Sequence, residues 1–200
     1  MHADFDRSLK IDPDDGEMLQ ARANLRLAAG DRDGAIADAE AAARVTPPAS
    51  LQAVKLAIMF ERLDQPTRAI PIYNAVITAH PDDSQLGRLL NGRCWQRGLA
   101  NVELDKALDD CNRAIKRDGA KANYLDSRAL IYLRKGDLVT AIAGYDAALK
   151  LAPGIAWSLY LRGLAKIRLG QADSGKADQT AAILLRPHIA DDAARIGLAQ

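Results

Sequence analysis

Prolines set the frame of this chain. Pro13, Pro47 and Pro81 stand 34 residues apart, as do Pro153 and Pro187, and Gly119 takes the proline's place 38 residues after Pro81. Proline cannot donate a backbone hydrogen bond and clashes with the preceding turn, so each one closes a helix. A chain punctuated at this period builds one unit over and over, and such units bury their apolar faces only by stacking on their neighbours.

The clearest unit runs from Ala122 to Pro153. Leu125, Arg128, Ala129 and Tyr132 follow the i, i+3, i+4, i+7 spacing of one helical face. Gly136 can take the left-handed conformation that ends this helix, and Asp137 can cap the next. Ala141, Tyr145, Ala148 and Leu149 share the second helix's inner face. The spacing predicts helix pairs over 15–29 and 31–45, 48–63 and 66–79, 84–98 and 103–117, 120–135 and 137–151, and 154–169 and 171–185. Pro66 can open its helix, whereas Pro71 should kink that helix or delay its start.

Each repeat can be numbered from the third residue after its proline, with the register reset in the third repeat for four extra residues. These are placed near LLNGRC and in the LANVELDK turn. Position 8 is then Ala23, Ala57, Cys94, Ala129 and Gly163; position 20 is Ala35, Ala69, Ala107, Ala141 and Gly175; position 27 is Ala42, Val76, Ala114, Ala148 and Ala182. Small residues here let paired helices approach closely. Larger ones at position 28, such as Ile77, Ile115, Leu149 and Ile183, fill between repeats.

A 34-residue helix–turn–helix period with this small-residue pattern resembles the tetratricopeptide repeat (TPR). The family's aromatic at position 24 is present as Tyr73 and Tyr145 but replaced by Ala39, Cys111 and Gln179. The resemblance implies an all-α fold: a right-handed α-solenoid of about five repeats forming a single domain over 1–200. The repeats are expected at 16–49, 50–83, 84–121, 122–155 and 156–187. Residues 1–13 would be the second helix of a partial repeat, and 188–200 a capping helix in which Asp191 and Asp192 favour the first turn. Phe5 and Leu9 would be half covered. Capping logic therefore favours a fragment of a longer polypeptide, and leaves a route to self-association through the incomplete repeat.

Composition narrows the function. With 27 basic against 26 acidic residues the formal net charge is +1, which argues against a nucleic-acid footprint. No apolar run approaches the roughly 18 residues that span a bilayer, and the N-terminus lacks a secretory signal pattern. His2, His80 and His188 have no shared ligand spacing, so no metal or other cofactor is expected. No nucleophile–base pair or phosphate-binding loop can be argued, so no enzyme is expected. Cys94 and Cys111, both core-facing in one repeat, are expected as free thiols, which favours the cytoplasm. The alternative is a disulfide between the paired helices, with an oxidising compartment such as the periplasm for a fragment of an exported protein.

What remains is surface. The resemblance implies that positions 2, 5, 9 and 12 of each first helix line a concave groove. They read Glu17, Gln20, Asn24 and Leu27, then Leu51, Val54, Ile58 and Glu61, in the first two repeats. The C-terminal half supplies the richer set. Trp95, Leu130, Trp157, Tyr160 and Leu164 are candidate apolar anchors, with Arg88, Asn91, Asn123 and Asp126 beside them. The alternative is that Trp157 covers the edge of the fourth repeat and Trp95 fills a widened core. The basic set with which some family members grip a C-terminal carboxylate is not matched. The expected function is a non-catalytic protein-interaction scaffold holding a protein or peptide partner. A second reading, from a loose likeness to bacterial repeat tails, is a tail positioning an upstream hydrolase-type domain.

Overall fold

The structure, a computed structural model, describes residues 2–198, with side chains from residue 5 onward, so the side chain of His2 lies outside it. The described residues form twelve helices and no strand. They are α1 (His2–Ile11), α2 (Gly16–Ala28), α3 (Arg32–Val45), α4 (Ala53–Arg62), α5 (Pro66–Ala79), α6 (Leu86–Ala100), α7 (Leu104–Asp118), α8 (Ala122–Lys135), α9 (Leu138–Leu151), α10 (Ala156–Arg168), α11 (Ala172–Leu185) and α12 (Ile189–Arg195). The chain divides into two compact units, one ending at Leu86 and the other beginning at Gly87.

In the first unit, α2 pairs with α3 and α4 with α5, and α1 packs on α2. Ala23, Ala35 and Ala42 have no exposed surface, nor have Ala57, Ala69 and Val76. Turn chemistry fixes the pairing. Gly30 has φ +83°, and the Asp31 carboxylate accepts from the Gly34 amide at 2.9 Å. Asp64 takes the glycine's place in the next repeat with φ +48°, a conformation aspartate tolerates better than most residues. Helix α4 starts at Ala53, five residues later than its spacing predicts. Pro47 and Pro48 supply no amide, and the chain runs in turns until the Ser50 hydroxyl accepts from the Ala53 amide. Pro71 lies inside α5 and does not delay its start at Pro66.

In the second unit, α8 pairs with α9 and α10 with α11, and α12 packs on α10 and α11. Gly136 at φ +80° and the Asp137 cap on the Thr140 amide repeat the turn of the first unit. Gly163 and Gly175 bring α10 and α11 into backbone contact: a Cβ on either would stand 2.6 Å from the other's carbonyl oxygen. Ile183 at position 28, expected to fill between repeats, is half exposed. The third repeat's extra residues fall in the connection before α6 and in α6 itself, which is 15 residues long against 13 for α2.

The two cysteines are bonded. Cys94 on α6 and Cys111 on α7 face each other with their Cα atoms 5.6 Å apart, within bridging range, so the free-thiol expectation is corrected. Both occupy inner positions of one hairpin, and both are fully buried. Thiol titration of the unfolded, unreduced protein should find no reactive group, and two after reduction. The bridge closes a loop across a separation of 17 residues, which corresponds to about 3 kcal/mol of stabilisation in the chain-entropy model.

A polar ladder accompanies this packing. Position 7 is Arg22, Arg93, Arg128 and Arg162 in four of the repeats, and position 23 is Asp38, Asp110 and Asp178 in three. Each pair closes bidentately: Arg22 on Asp38 at 2.7 and 2.9 Å, Arg93 on Asp110 at 2.6 and 2.8 Å, Arg162 on Asp178 at 2.6 and 2.7 Å. A second cation joins each aspartate, from Arg26, Arg97 and Lys166. The position-7 arginine also reaches back one repeat, Arg22 to Asp6, Arg128 to Asn112 and Arg162 to Asp146. The second repeat replaces the pair with Leu56 and Ile72, both buried.

Candidate peptide-binding clefts

The C-terminal groove row is largely filled by its own chain. Leu130 and Leu164 have no exposed surface and Tyr160 is buried, all in one cluster with Ile189, Ala193 and Leu198 of the C-terminal segment. Trp95 and Trp157 are half buried and meet edge to face, with ring centroids 6.3 Å apart. Arg186 stands 5.6 Å over the Trp157 ring. Asn91 is buried, while Arg88 and Asn123 are exposed.

The C-terminal turn is held from α8. The Arg134 guanidinium donates to the carbonyls of Gly98 at 3.0 Å, Leu99 at 3.2 Å and Gly197 at 3.3 Å, and also to Ile196. Carbonyls at the ends of α6 and of the turn after α12 thus share one cation, which suits the negative ends of both helices. Arg134 sits at position 13, outside the four groove positions read from the sequence. The signal was present: arginine recurs there as Arg62, Arg134 and Arg168.

Asp126 lies beneath this row, accepting from the Ser158 hydroxyl, and burial pushes its carboxyl up to about 6 against the pull of that hydrogen bond. Tyr145, fully buried near it, is raised well above its usual value by the same desolvation and by the Asp126 charge. A free aspartate titrates near 3.9, so between about pH 4 and 6 the folded state holds more proton than the unfolded one. Stability from this group falls as pH rises through that window, by on the order of 2–3 kcal/mol. Asp126→Asn should therefore gain on the parent between pH 4 and 7 in chemical denaturation. A difference independent of pH would contradict this.

The open cleft lies in the first unit. A cavity of about 890 Å³ runs between α2 and α4 and is lined at the predicted groove positions by Glu17, Gln20, Asn24 and Ile58, with Met59, Lys55 and Arg62 added from α4. Its polar wall is ordered. Gln20 donates to the Gly16 carbonyl at 3.1 Å, Asn24 donates to the Gln20 carbonyl at 3.0 Å, and Arg62 donates to the Asn24 side-chain oxygen. Ile58 is half exposed over this wall. A second cavity of about 510 Å³ surrounds Arg93, Arg97 and Asp110, whose charges are already paired. Among the described residues no His, Cys, Asp or Glu cluster could hold a metal ion, and no helix is long and apolar enough to cross a membrane.

No protein-family model matches the chain, and no curated protein matches its sequence. Solved structures do match. A tetratricopeptide repeat protein from Parabacteroides merdae superposes with a TM-score of 0.72 at 15% identity, over 98% of this chain and 75% of that one. MamA superposes at 0.58 and 20% identity, over 92% and 97%. YrrB, a TPR protein with an unusual peptide-binding site, superposes at 0.54 and 16% identity, over 96% and 97%. The chain has the tetratricopeptide-repeat fold.

Proposed function

We propose that this protein is a non-catalytic interaction scaffold whose cleft between α2 and α4 holds a peptide or helix of a protein partner. The observation that carries the reading is the cleft itself. It combines an exposed Ile58, a lining of side-chain amides, and charges at its rim, the mixture of apolar contact and orienting polar groups that peptide recognition needs. The likeness to YrrB, itself described as peptide-binding, supports it as analogy of fold. The Cys94–Cys111 bridge fits residence in an oxidising compartment. The test is selection of a phage-displayed peptide library on the immobilised protein. Enriched peptides should lose at least about tenfold in affinity, roughly 1.4 kcal/mol, in an Ile58→Arg variant. Failure to enrich any peptide, or affinity indifferent to that change, would overturn the proposal.

A further inference from the structure

The turn after α12 rests its carbonyls on one arginine of α8, and an arginine at the same repeat position stands at the open cleft. In the second unit the C-terminal segment places Ile189, Ala193 and Leu198 in the core, while its last carbonyls, at Ile196 and Gly197, rest on Arg134. Arg62 stands at the same repeat position as Arg134, at the end of α4, and lines the open cleft. It is exposed, and attaches to Asn24 rather than to a helix end. From Glu17 to Asn24 is seven residues along α2, about 10 Å at the helical rise. That is two turns, the length of the seven-residue α12.

The opposite end of the cleft is acidic. Asp15 is committed to capping α2, accepting from the Glu17 and Met18 amides at 3.0 Å each. Asp14 and Glu17 are exposed on the rim and form no ion pair among the described residues. A helix carries partial positive charge at its first turn and partial negative charge at its last. We infer, resting on the cleft being a binding site, that it docks a two-turn amphipathic helix of a partner protein, basic in its first turn. The positive end lies against Asp14 and Glu17, the apolar face lies on Ile58 and Met59, and the terminal carbonyls lie on Arg62. The chain's own α12 is excluded by this charge pattern, because Asp191 and Asp192 occupy its first turn.

Two synthetic peptides test this by fluorescence anisotropy on the full chain at low salt. One carries residues 187–198, and the other the same sequence with Asp191→Lys and Asp192→Lys. The lysine peptide should bind about tenfold more tightly, the scale expected for a few rim charges acting together with the dipole. Arg62→Ala should weaken it by a similar factor, and Asp14→Lys with Glu17→Lys should reverse the preference. All three changes are at exposed side chains, and their unfolding temperatures would be compared with the parent's. Failure of both peptides to bind, equal binding of the two, or a preference that survives the rim reversal would overturn the inference. Library peptides sensitive to Ile58→Arg would in that case leave the broader groove reading standing.

Discussion

Asp110→Ala should cost about 3–5 kcal/mol. Asp110 is buried at 1% exposure and neutralises two guanidiniums, Arg93 from one side and Arg97 from the other. Arg97 is itself buried and also reaches Glu103, with its nearer nitrogens at 3.0 and 3.1 Å. Taking away the acid removes the one carboxylate that both guanidiniums share in a low-dielectric interior. The second repeat indicates the remedy. At equivalent positions it carries Leu56, Phe60 and Ile72, all buried. A triple change, Arg93→Leu with Arg97→Phe and Asp110→Ile, should recover at least half of the loss in chemical denaturation. Buried ion pairs replaced by apolar side chains of similar size are commonly neutral or stabilising. An Asp110→Ala protein within about 1 kcal/mol of the parent would show that the network is solvated.

Changing Trp157 and Tyr160 to alanine together should lower stability by more than about 4 kcal/mol, since large-to-small changes at aromatic core positions cost about 3–5 kcal/mol each when fully buried. Tyr160 is buried in the cluster that includes Leu161, Leu164 and Ile189, and Trp157 meets both Trp95 and Arg186. Trp157 is half exposed, so its share is the smaller. The loss should appear as a drop in unfolding temperature with α12 released, seen as accelerated amide exchange over 189–195. An unchanged unfolding temperature would mean that these rings stand free for a ligand.

How far the sequence reaches is visible in these two cases. Helix spans were legible because proline, glycine and the 3.6-residue period act locally: α3, α5, α9 and α11 begin and end within one residue of expectation. The late start of α4 was less so, because paired prolines let the chain wait for the Ser50 cap. The arginine–aspartate ladder was written in the repeat positions, but charge at an inner position reads as solvated surface until both partners are seen to meet. Cys94 and Cys111 were correctly placed on facing helices, and position alone does not decide whether two thiols are joined.

The groove shows the limit most plainly. Periodicity identifies which side chains point to the inner face of a repeat. It does not report what lies over them. Trp95, Leu130, Tyr160 and Leu164 read only as candidate anchors, because a large apolar residue at a groove position looks the same whether a partner or the chain's own end covers it. The segment that closes over Leu130 is fastened by Arg134, more than 60 residues away in sequence. The poorer-looking row of Glu17, Gln20, Asn24 and Ile58 is the one left open.

Hydrogen–deuterium exchange on the complex with a library-selected peptide tests the assignment of the binding cleft most directly. Bound peptide should slow exchange of amides in α2 and α4, over 16–28 and 53–62, and leave α8 and α10 as they are in the free protein. Slowing confined to 122–135 and 156–168 would contradict it, because it would place the ligand on the row that the C-terminal segment already fills.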